Sequence, residues 1–150
     1  MRVERGTTLV EAVVAIGLLA GAVVAMAGLA SLALRTSTLA REQSFAAILA
    51  LQKMEALACG AASAPASPPG AWAVDTASFV EHLDARGRPV AGGARGAFVR
   101  RWSVVPLPAD PGLVSIQVAV APCRPADGEP GCGRSPALAR LASIRSRTAW

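Results

Sequence analysis

A chain of 150 residues holds about one domain, and its net charge of +5 is almost all guanidinium, because Lys53 is the sole lysine. No run of like charge exceeds the Arg100-Arg101 pair, which excludes a polybasic nucleic-acid tail. A single histidine, no HExxH, no phosphate-cradling glycine loop followed by Lys-Ser/Thr and no clustered carboxylates argue against an enzyme, and no cofactor or metal is expected.

The first element is a helix. Ala12 to Leu34 is an uncharged stretch of 23 residues. At 1.5 Å per residue it makes roughly 34 Å, enough for a hydrocarbon layer of about 30 Å. Glu11 stands at its lip, and Gly17 and Gly21 form a GxxxG that Ala25 and Gly28 extend into a small-residue face for close helix packing in lipid.

Three explanations account for this segment. A cleaved secretory signal would use Arg2 and Arg5 as its basic region and Ala25-Met26-Ala27 as its cut site, but the apolar run is too long and Glu11 is out of place. A plain signal anchor explains the span and leaves Glu11 unexplained. The third explanation uses the whole opening. Gly6-Thr7-Thr8-Leu9-Val10-Glu11, abutting an apolar helix within ten residues of Met1, resembles the processing site of type IV prepilins and type II secretion pseudopilins.

That resemblance implies a leader of residues 1–6, cleavage between Gly6 and Thr7 by a prepilin peptidase, and N-methylation of Thr7. The family usually has Phe where Thr7 stands, and the departure hints at a minor subunit. Glu11 becomes an assembly key, paired with the amino terminus of its own or a neighbouring subunit. A buried ion pair among apolar helices sets register more than it adds stability. The implied partners are the peptidase, other pilins or pseudopilins and an inner-membrane assembly platform. The implied location is the bacterial inner membrane, single-pass, with the N-terminus cytoplasmic and the head periplasmic, and then the pilus or pseudopilus.

Beyond Arg35 the same helix turns amphipathic. Phe45, Ile48, Leu49, Leu51, Met54 and Leu57 interleave with Arg41, Glu42, Gln52, Lys53 and Glu55, giving a stripe for a sheet to cover, and Gly60 sits at the cap. The organisation expected is 7–34 for membrane and assembly, 35–59 for the amphipathic half, 60–71 for a Pro-rich linker and 72–150 for a β-rich head. The fold class expected is α+β, pilin-like, with the long helix on a small antiparallel sheet.

In the head, Asp84-Ala85-Arg86-Gly87 reads as a turn between Phe79–Leu83 and an extended segment from Pro89. His82 stands alone there and reads as a structural histidine. Phe98 to Val105 and Leu113 to Val120 read as strands, the second with Val114, Ile116, Val118 and Val120 on one face. Arg100 interrupts the apolar face that Phe98, Trp102 and Val104 share. Pro106 to Gly112 reads as a hairpin loop, and Leu138 to Thr148 as a last strand. Residues 98–148 loosely resemble PilV-like minor pilins and I-type pseudopilins through the Arg101-Trp102 dipeptide and the strand spacing.

Cys123 and Cys132 bracket a polar loop rich in Pro and Gly and are expected to form a disulfide, which would place the head outside a reducing compartment. Zinc is not expected, because two cysteines with no histidine nearby in sequence make half a structural site. The function expected is a minor type IV pilin, with an I-type pseudopilin as the close rival. A third reading, DNA capture through Arg95, Arg100, Arg101 and Trp102, is weaker, since Trp102 alternates with valines and reads as core.

Overall fold

The computed structural model describes residues 4–60, 65–90, 96–123, 132 and 135–147. One helix, α1, spans Glu4–Cys59, and four strands follow: β1 Val80–Leu83, β2 Phe98–Leu107, β3 Asp110–Pro122 and β4 Ala139–Ser146. The strands form one antiparallel sheet in the order β1-β2-β3-β4. The chain is therefore α+β, a long N-terminal helix and a four-stranded sheet, in two compact units, Met1–Arg41 and Glu42–Trp150.

In the first unit, α1 contains no proline and is exposed from Thr8 onward. It is long and apolar enough to cross a membrane. Its hydroxyls bond back to their own helix: Ser31 Oγ donates to the Gly28 carbonyl at 2.8 Å, and Thr36 Oγ1 to Ala33 at 3.0 Å. Such bonds let polar residues sit in an apolar helix without an outside partner.

In the second unit, the end of α1 lies on one face of the sheet. The buried helix positions are Ala46, Leu49, Ala50 and Met54, with Phe45 and Leu57 at the margins. Ile48 and Leu51, expected in the covered stripe, are 54% and 51% exposed. The sheet takes the two alanines instead, because small residues let a helix backbone approach the strands closely. From the sheet come Trp102, Val104, Val114, Ile116, Val118 and Val120, all buried in the same cluster. Phe79 stacks edge-on against Trp102, and Phe45 tilts against Phe98.

The β2–β3 hairpin is tighter than the sequence suggests. The strands run on to Leu107 and back from Asp110, with a register shift at Pro106/Leu107 in place of a loop from Pro106 to Gly112. Asp110 Oδ1 accepts the Gly112 amide at 2.8 Å, which supports the bend. Pro106 is tolerated because β1 pairs only with Phe98–Arg101, so its missing N–H breaks no central ladder.

The segment expected as a linker is partly built into the head. Ser67 is buried and bonds Val104 twice: its amide donates to the Val104 carbonyl at 2.9 Å, and its Oγ accepts the Val104 amide at 2.9 Å. It extends pairing along β2 past the end of β1. Ala71 is also buried in the core.

Candidate functional site

The residues singled out by sequence fall in two places. Gly6 and Thr7 lie within α1, but their side chains are outside the described residues. Glu11 is exposed on the same helix, amid exposed Leu9, Val10, Val13 and Val14. Gly17, Gly21 and Gly28 have nothing within 4 Å of where a Cβ would stand. At about 100° per residue these glycines cluster within roughly 40° of arc, about 100° around the axis from Glu11. The carboxylate and the small-residue stripe therefore occupy different faces and can meet different neighbours.

The second place is the head. Glu81 and Arg100 are directly opposite in the β1–β2 ladder, on the face that α1 covers. Arg100 donates from Nε to Glu81 Oε2 at 3.1 Å and from Nη2 to the same oxygen at 2.5 Å. Its Nη1 donates to the Leu49 carbonyl of α1 at 2.9 Å. Lys53 reaches Glu81 Oε1 at 3.5 Å and lies 3.7 Å above the Trp102 ring. Burial raises the Glu81 pKa, but the hydrogen bond from Arg100 and the charges of Arg100 and Lys53 outweigh it and hold the carboxyl below its ordinary value.

Arg101 points to the opposite face, where it bonds Asp75 at 2.6 Å. Arg100, Arg101 and Trp102 are at most 8% exposed. Both guanidiniums and the indole are thus packed into the fold. Arg95 lies outside the described residues.

Cys123 and Cys132 form a disulfide, with Cα atoms 4.5 Å apart. His82 is not alone: its Nδ1 lies 3.3 Å from Cys132 Sγ. The register explains the meeting, because His82 pairs with Val99 and Val99 with Ala121, two residues before Cys123. Sequence distance concealed what one row across three strands brings together. Neither Glu81 nor the Leu49 carbonyl was legible either, since nothing local marks them as partners of Arg100.

Comparison with protein-family models, with curated proteins and with solved structures returned no match.

Proposed function

We propose that the chain is a minor type IV pilin, cleaved by a prepilin peptidase and incorporated into a pilus. The observation that carries this reading is the run Gly6-Thr7-Thr8-Leu9-Val10-Glu11 in register immediately before an uncharged stretch. The continuous α1 and the small antiparallel sheet that follows it support it.

The chemistry of Glu11 gives the motif a mechanism. A carboxylate among apolar helices is costly unless a cation meets it. Cleavage after Gly6 creates an amine at Thr7, one helical turn from Glu11 on the same chain and available to a neighbour's Glu11. Pairing between subunits fixes the axial stagger, while the stripe of Gly17, Gly21 and Gly28 offers a close-packing face in another direction. The partners are accordingly other pilins and an inner-membrane platform, with the head on the periplasmic side.

Glu11→Ala is the direct test. The variant stays in the membrane fraction but is lost from filaments sheared off the cell surface. Normal incorporation of Glu11→Ala overturns the assembly role. A wild-type chain absent from sheared filaments but required for export of folded proteins would move the assignment to an I-type pseudopilin.

A further inference from the structure

We propose that His82, Cys123 and Cys132 form a binding site for a thiophilic divalent cation of the zinc type, available when the disulfide is reduced. The site does not depend on the pilin reading. Its ligand atoms, the His82 imidazole nitrogen and the two sulfurs, all lie within 4.8 Å of one another. With Zn–S near 2.3 Å and Zn–N near 2.0 Å, tetrahedral zinc needs ligand atoms about 3.6 to 3.8 Å apart. The imidazole nitrogen is already 3.3 Å from Cys132 Sγ. On reduction the two sulfurs, no longer bonded to each other, part to take up the metal.

The frame is suited to holding them. His82 is fixed in β1 by its pairing with Val99, and the Cys123 amide donates to the Ala97 carbonyl at 2.9 Å. Cys132 is buried against Val99 and Ala121 in a small apolar cluster. Two thiolates neutralise a divalent cation there, so the metal complex carries no net charge into that cluster. Three protein ligands leave a fourth position for water or a further donor.

The disulfide and the metal are alternative states of one site. A dithiol reductant delivers two electrons and two protons to the Sγ–Sγ bond and becomes a disulfide itself, leaving thiols on Cys123 and Cys132. Zn²⁺ then displaces both thiol protons as the Zn–S bonds form. Reoxidation requires the metal to leave.

The test uses the full chain in detergent with Cys59→Ser, because Cys59 is an exposed free thiol. Zn²⁺ is titrated against a chromophoric chelator. The reduced chain takes up one equivalent and the oxidised chain none, and His82→Ala weakens uptake at least tenfold. Co²⁺ in the reduced chain gives a thiolate charge-transfer band, a readout that needs no variant, and bound Zn²⁺ slows disulfide re-formation. No Zn²⁺ uptake beyond that of Cys123→Ser plus Cys132→Ser, no thiolate band with Co²⁺, or unchanged affinity in His82→Ala overturns the proposal.

Discussion

Arg100 and Glu81 are joined side chain to side chain: the guanidinium is bonded twice to that carboxylate across the β1–β2 ladder and, from the same group, once to the Leu49 carbonyl of α1. A charge that breaks the apolar pattern of β2 thereby ties the sheet to the helix. The two partners are not equivalent. The Arg100 side chain is only 10% exposed, whereas that of Glu81 is 29% exposed and keeps Lys53 as a second cation.

This asymmetry predicts an order of stabilities. Glu81→Gln strands a buried guanidinium and costs about 3 kcal/mol, while Arg100→Met leaves Glu81 near Lys53 and water and costs about 2 kcal/mol or less. Denaturant titration of the full chain in detergent, followed by tryptophan fluorescence, reads both. Equal costs, or a larger one for Arg100→Met, would contradict the asymmetry.

The same carboxylate sets an acid limb. The folded pKa of Glu81 lies below its ordinary value of 4.5, so below about that pH the unfolded chain binds more protons than the folded one. Its stabilisation is full above the ordinary value and is lost as pH falls through the folded one. Asp84 acts with the same sign, its Oδ1 accepting the Arg88 and Arg86 amides at 2.9 and 2.7 Å. Stability measured from pH 6 down to pH 3 should fall more steeply in the wild type than in Glu81→Gln.

Gly87 closes the turn after β1 at φ +78°, and a Cβ there would lie 2.5 Å from Leu49 Cδ2. Gly87→Ala should cost about 1 to 2 kcal/mol for the backbone conformation alone, plus the clash. Leu49 is 2% exposed, and its truncation to Ala should cost about 2 to 5 kcal/mol. The double variant should cost less than the sum, because removing Leu49 Cδ2 removes the clash. Strict additivity would show that the turn does not seat against the helix.

Much of the fold is written in local pattern. The alternation from Val114 to Val120 identified the buried face of β3, all four residues being fully buried. Asp84-Ala85-Arg86-Gly87 carried its turn chemistry openly, and Trp102 read as core. What local pattern misses is pairing at a distance. Hydrophobicity chose the bulky Ile48 and Leu51 for the covered stripe, whereas close packing selected Ala46 and Ala50. Arg100 looked like an interruption because Glu81 stands 19 residues away in sequence. His82 looked alone because it lies 50 residues from Cys132. Pairs of this kind depend on strand register, which no single segment encodes.

The disulfide joins residues nine apart. On the chain-entropy account a loop this short is worth about 2.5 to 3 kcal/mol. Cys123→Ser plus Cys132→Ser, compared with the wild type under oxidising conditions, should show that loss. No change in midpoint would mean that the loop is already ordered without its bridge.

The central claim concerns the opening run, and the mass of the mature chain tests it most directly. Purified from a host that has prepilin peptidase, the protein should begin at Thr7 and carry one methyl group on its new amine. A chain that keeps Met1, or one that begins after Ala27, would contradict the account.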